Sequence, residues 1–326
     1  MGCGGSKVEG ERVEQSGQKL KELPTVGPKT AAIDCSENEL PELPAWIGDL
    51  KELKELDANA NELTALPEAI IGCVNLEKLY VYKNKIKELP AELPPALTEL
   101  NFFNNQIRKL PPSIGKLSCL EEVNFSSNKL MMTQDAMFAN WSTVKVLNMY
   151  DNNLVRFGSL ATLLSLEELR LNANNLEAMP ELSKSHPALK IIEVHKNRIA
   201  NIPDEYFNAT PALERLSIWA NQLEAVPSSI CGCNALLGLQ VHDNKLTALP
   251  GGRAWPPKLQ TLFVQENLNL KTLPSELKAC PAMFRCNVSK TALDADGVAV
   301  ADAIKAHCLA NQGGIFWDQN GMQHKA

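Results

Sequence analysis

Three sets of residues in this chain have types and spacing that could do chemistry. The first is at its start. Gly2 and Ser6 of MGCGGSKVEG fit the pattern M-G-x-x-x-[ST], which marks a glycine for myristoylation once Met1 is removed. Cys3 beside it is placed to carry a second, thioester-linked chain. One myristoyl chain holds lipid only reversibly, so stable anchoring needs a second signal. Lys7 is the only base in the first ten residues, which leaves Cys3 to supply it. The second set holds candidate catalytic groups, and none completes a site. Val26-Gly27-Pro28-Lys29-Thr30 lacks the Gly-Lys-Thr order of a phosphate loop. His195 and His242 face the same way, but two strands of about 4.8 Å separate them, too far to share a proton. Cys231-Gly232-Cys233 has no second pair to complete a metal site. The expectation is a non-enzyme with no cofactor and no metal. The third set is aromatic. Tyr80, Tyr82, Phe103, Tyr150, Trp219 and Phe263 recur at regular positions, with Arg170, His195 and His242 among them, although aromatics make up only 6% of the chain. Large aromatics held toward solvent are what protein interfaces enrich. Cross-strand pairs of the same residues can also simply stabilise a sheet.

These positions take their meaning from a repeat. The stretch Leu76 to Pro90 reads LEKLYVYKNKIKELP. It fits L-x-x-L-x-L-x-x-N-x-L, the signature of a leucine-rich repeat. With the Asn as phase marker, copies stand at Asn38, Asn61, Asn84, Asn105, Asn128, Asn152, Asn174, Asn197, Asn221, Asn244 and Asn267, 21–24 residues apart. A partial copy precedes them at Gln18, and a degenerate one follows with Thr291 in the marker slot. The slots around Leu79 and Val81 alternate with Lys78, Tyr80 and Tyr82, the periodicity of a strand with one face buried. One repeat buries too few side chains to offset its chain entropy, so stability belongs to the array. The marker Asn carries two donors and an acceptor and is expected to satisfy backbone groups inside the turn.

Eight Leu-Pro-like pairs follow five residues after their markers, for example Leu43-Pro44, Leu66-Pro67 and Val226-Pro227. Proline fixes φ and lacks a donor, so it suits the start of a short helical turn. The fold class expected is α/β: a leucine-rich repeat solenoid, a curved horseshoe with parallel strands on the concave face and short helical or 3₁₀ turns on the convex face. The repeats after Asn128 and Asn152 lack the proline, so the convex side is expected to change character between about 131 and 165, a true helix being one form this could take. The organisation expected is an acylated flexible segment over 1–17, about twelve repeats over 18–293, a capping helix over 294–312 and a tail over 313–326. That tail carries Phe316 and Trp317 and either folds back or docks elsewhere.

Net charge of −6 argues against nucleic-acid binding. No run of 18 apolar residues suits a membrane span. Cys73, Cys233 and Cys280 occupy equivalent positions of three repeats, and Cys35 fills a strand slot. They read as small core hydrophobes. Nothing resembles flanking disulfide caps, so the location expected is cytoplasmic, on a membrane through the acyl groups.

The Leu-Pro turns and the 23-residue period resemble the intracellular Ras-group leucine-rich repeat proteins. That resemblance implies a non-catalytic scaffold in intracellular signalling that binds a protein partner, such as a small GTPase or a phosphatase subunit. Partner binding is expected on the concave face, at Tyr80, Tyr82, Phe103, Tyr150, Arg170, His195, Trp219, His242 and Phe263. The alternative is a structural adaptor of a cytoskeletal, flagellar or cortical assembly.

Overall fold

The computed structural model describes residues 10–326. It comprises two compact units, divided between Leu166 and Glu167. The first contains seven strands: β1 (Glu11–Glu14), β2 (Thr30–Asp34), β3 (Glu55–Asp57), β4 (Lys78–Tyr80), β5 (Glu99–Asn101), β6 (Glu122–Asn124) and β7 (Val146–Asn148). Each pairs in parallel with the next. In the second unit β8 (Glu168–Arg170), β9 (Ile191–Glu193), β10 (Arg215–Ser217), β11 (Gly238–Gln240), β12 (Thr261–Phe263), β13 (Arg285–Asn287) and β14 (Ile315–Trp317) repeat the arrangement. β15 (Gln323–Lys325) closes it as an antiparallel edge. This is the leucine-rich repeat solenoid that the sequence pattern implies.

The register stacks each inward slot on its neighbour. Leu56, Leu79, Leu100, Val123 and Leu147 form one buried column, and Leu169, Ile192, Leu216, Leu239, Leu262 and Cys286 form another. Three-residue strands are short because the chain turns at once. The residue before each marker is left-handed, from Glu37 through Glu266 and on to Lys290, with φ of 50–59°. None of these is glycine, so each carries a steric cost of roughly 1–2 kcal/mol. The marker Asn overrides that cost. Asn61 Nδ2 donates to Ala58 O at 3.2 Å and to Cys35 O of the preceding repeat at 2.9 Å, while its Oδ1 accepts from Leu40 N at 3.0 Å. Asn244 does the same with Val241 O, Ile218 O and Leu223 N. One side chain thus ties two successive turns together.

Five of the proline turns open 3₁₀ segments: Ala45–Asp49, Glu68–Gly72, Pro112–Lys116, Ser228–Gly232 and Ser275–Ala279, each with Pro at the N-cap. The change expected between 131 and 165 is not to a true helix. A four-residue 3₁₀ piece, Asp135–Phe138, and turns stand there instead. The segment keeps the short turn of its neighbours. Trp141 is fully buried and donates Nε1–H to Ile114 O at 3.1 Å, and Phe138 packs on Trp141 and Phe157 at 5.2 and 5.3 Å between centroids. Phe138 and Trp141 take the buried positions that Ile114 and Leu117 hold one repeat earlier, so the chain turns there without a proline.

Both ends differ from the sequence expectation. Glu11–Glu14 forms β1 inside the stretch expected to be a flexible tether. The helix expected over 294–312 is α1 (Ala295–Ala310), capped by Asp294 accepting from Gly297 N at 2.9 Å. It does not end the second unit, because the expected tail over 313–326 forms β14 and β15. Phe316 is 1% exposed and takes the inward slot beside Cys286. α1 therefore spans the turn side of one more coil. A Cβ on Gly297 would lie 2.7 Å from Lys271 O, so the approach of α1 to the preceding coil requires glycine there.

Candidate functional site

The outward strand positions lie where the sequence places them, but the two units use them differently. In the first unit the third strand position holds Asp34, Asp57, Tyr80, Asn101, Asn124 and Asn148. Most of these side chains are spent on their own backbone. Asp34 Oδ1 accepts from Ser36 N and Oγ at 3.0 and 2.6 Å. Asp57 Oδ1 accepts from Asn59 N at 3.0 Å, and Asn101 and Asn124 bond the N–H two residues on in the same way. These Asx turns set the bend that leads into the left-handed residue. Burial pushes the Asp57 carboxyl above its usual range.

The predicted aromatics of this unit are dispersed. The Tyr80 hydroxyl donates to Glu99, which also pairs with Lys78 Nζ at 2.5 Å. Burial and then this bond raise the Tyr80 hydroxyl pKa, and burial raises that of Tyr82. Phe103 and Tyr150 are brought together, tilted at 6.3 Å across two strands.

In the second unit the outward rings form a row. His195, Trp219 and His242 stack face to face, with centroids 4.4 and 5.1 Å apart and planes within 11°. Phe263 meets His242 edge-on at 6.3 Å, and Trp317 meets Phe263 edge-on at 6.2 Å. The parallel register sets this spacing, since neighbouring strands stand about 4.8 Å apart. The sequence pattern places Trp317 in the tail. Its signal is Ile315-Phe316-Trp317, an apolar residue between two outward ones as in β3 to β13, but no marker Asn follows it. Arg170 does not join the row. It pairs with Glu168 at 2.5 Å and Glu193 at 3.6 Å.

Burial lowers the His195 pKa to about 4, helped by the Lys196 charge and by His242, and burial also lowers that of His242. Both rings are therefore neutral at pH 7. Ser217 Oγ lies 3.2 Å from His195 Nδ1 and 3.2 Å from Gln240 Oε1. Gln240 Oε1 only accepts, so Ser217 donates to it and His195 Nδ1–H donates to Ser217. This leaves His195 holding the wrong tautomer to take the serine proton, and too weak a base besides. The contact positions the imidazole and does not activate a nucleophile. His242 Nδ1 and Gln265 Oε1 are buried without a protein hydrogen-bond partner. Among the described residues no group of three or more His, Cys, Asp or Glu could hold a metal. Cys35, Cys73, Cys233 and Cys280 are buried free thiols, as core residues should be. Gly2 and Cys3 lie outside the described residues.

Comparison with known proteins agrees with the repeat fold. Two leucine-rich repeat family models match, at residues 187–246 and 96–117. Keratocan of Danio rerio is 29% identical over 142 residues, which is 41% of this chain and 40% of that protein. An Arabidopsis thaliana homologue of the protein phosphatase 1 regulatory inhibitor subunit PPP1R7 is 26% identical over 115 residues, 34% of this chain and 35% of the relative. The chain thus spans less than half the length of these curated relatives. The structure of YopM, a leucine-rich effector protein from Yersinia pestis, superposes with a TM-score of 0.63 at 24% identity, covering 86% of this chain and 78% of that one. That likeness shows the fold.

Proposed function

We propose that the chain is a non-catalytic scaffold of intracellular signalling that takes a protein partner on the outward strand face of its second unit and is held at the cytoplasmic face of a membrane by acyl groups on Gly2 and Cys3. The observation that carries the binding reading is the row His195–Trp219–His242–Phe263–Trp317. A buried sheet face would gain from such rings, but this face is open to solvent and only half covers them. Half-exposed rings held in place by their neighbours lose little entropy when a partner covers them. Of the partner classes that the sequence suggests, small GTPase or phosphatase subunit, the similarity to a phosphatase regulatory subunit favours the second. No helix among the described residues is long and apolar enough to cross a membrane, so any membrane attachment of this part of the chain would be peripheral.

A photo-crosslinking residue in place of Gln240, compared with one in place of Arg253 on the turn side, tests the face. Adducts of a discrete protein at Gln240 and not at Arg253 are expected, and the reverse would refute it. Fractionation tests the anchor: Gly2→Ala should move the protein off membranes, while Cys3→Ser should leave weak, exchanging attachment.

A further inference from the structure

The strand register of the second unit places Arg215, Gly238, Thr261 and Arg285 side by side at the first outward position of four successive strands. Two long cations flank two small residues. A Cβ on Gly238 would meet nothing within 4 Å, so the glycine leaves a notch in the sheet face. The notch opens a depression of about 440 Å³, whose lining includes Arg215, Arg285, Glu193, Ser217, Trp219 and Phe263. It is thus continuous with the aromatic row. Three strand spacings of about 4.8 Å separate the two arginine backbones, a gap that their side chains can close from either side.

Both arginines are exposed, and among the described residues neither enters an ion pair, although the chain has an excess of carboxylates and the outward arginines Arg12 and Arg170 have two each. The Arg285 guanidinium lies over the Phe284 ring at 5.2 Å, which holds its plane without neutralising its charge. Planar guanidiniums recognise oxyanions through paired N–H donors. Glu193 in the same lining is already paired with Arg170, which leaves the two guanidiniums free to converge on the paired oxygens of one carboxylate.

We propose that this notch binds an Asp or Glu side chain presented by an extended segment of a protein partner, with Arg215 and Arg285 gripping the carboxylate and the rings of Trp219 and Phe263 taking its apolar neighbours. This rests on the outward face of the second unit being the binding face. A displayed random peptide library selected on the full-length protein tests it. Recovered peptides should share an acidic residue at one position beside an apolar one. Replacing that acid by its amide should weaken binding at least tenfold. The double variant Arg215→Gln/Arg285→Gln should do the same, as should Gly238→Val, which fills the notch and removes no charge. All three substitutions lie at exposed or open positions, so melting temperatures should hold. Peptides that are lost with Trp219→Ala but need no acid, or that bind the arginine variant normally, would overturn the notch and leave the binding face standing. Peptides indifferent to Trp219→Ala as well, or no recovered binder, would remove both. Tighter binding when phosphoserine replaces the acid would overturn the carboxylate assignment in favour of a phosphorylated partner.

Discussion

The two units share a backbone repeat and differ in what their outward positions do. In the first, the third strand position is mostly Asp or Asn, and its oxygen caps the turn two residues on. In the second, Arg170, Glu193, Ser217, Gln240, Phe263 and Trp317 hold most of the equivalent slots and bond one another across strands. One face is consumed locally by its own chain. The other is organised laterally into a row of rings and charges. On the proposed reading, the residues free to meet a partner are those whose polar atoms and ring faces are not already committed within their own coil.

The buried columns should not distinguish the units. Leu79→Ala in the first and Leu169→Ala in the second each empty a fully buried slot, and each should cost roughly 2–5 kcal/mol in chemical denaturation. Equal losses on replacing the outward neighbours Lys78 and Glu168 would mean that the register is wrong.

The marker ladder should also be common to both. Asn84→Ala and Asn244→Ala strip the backbone carbonyls and the N–H that each amide serves. Leaving such buried groups unpaired costs about 1–3 kcal/mol. Hydrogen exchange should show the loss concentrated in the turns on either side of the substitution. A loss spread evenly along the unit would contradict the ladder.

The outward positions should separate the units. In the first, Asn124→Ala removes an oxygen that bonds Ser126 N and should cost about 0.5–1.5 kcal/mol of stability with no effect on binding. In the second, Trp219→Ala breaks two stacking contacts that are worth about 0.5–1.5 kcal/mol each, and should also weaken partner binding by about 1–2 kcal/mol or more. Unchanged stability of Trp219→Ala would show that the stack contributes nothing to the fold.

Much of this organisation was legible in the sequence. The alternation around Leu79 and the recurring Asn located every strand from β2 to β12, and the alternation alone located β13, because both signals are local. The asymmetry between the units was not legible. Whether Tyr80 stands free or is tied to Glu99 depends on the strand beside it, and so does the sandwiching of Trp219 by two histidines. The last coil was missed because its strand lacks the marker Asn, and α1 replaces the usual short turn before it. No helix forms near 131–165 because Phe138 and Trp141 hold the same buried positions as Ile114 and Leu117 one repeat earlier, and so keep the short turn that the missing proline alone would not lead one to expect.

Acid should discriminate the units by a smaller margin. All five histidines lie in the second unit. His195 is held at about 4, below its ordinary 6.5, so the unfolded chain protonates first as pH falls. The stability it contributes is present above about 6.5 and is lost toward 4, and His242 adds in the same direction. Asp57 in the first unit is raised, so its effect has the opposite sign: stability is gained as pH falls through its folded pKa. Exchange followed from pH 7 to 4.5 should loosen strands β9 to β11 more than β3 and β4, and His195→Gln/His242→Gln should flatten the difference.

The claim that binding belongs to the second unit is tested most directly by comparing two double variants against the partner recovered by crosslinking at Gln240. Trp219→Ala/Phe263→Ala removes rings from the row, and Tyr82→Ala/Tyr150→Ala removes outward rings of the first unit. Titration calorimetry on folded, full-length protein should show the first variant losing at least tenfold in affinity and the second staying within about twofold, since each hot-spot ring is worth about 2 kcal/mol. Equal losses, or a larger loss from Tyr82 and Tyr150, would contradict the account.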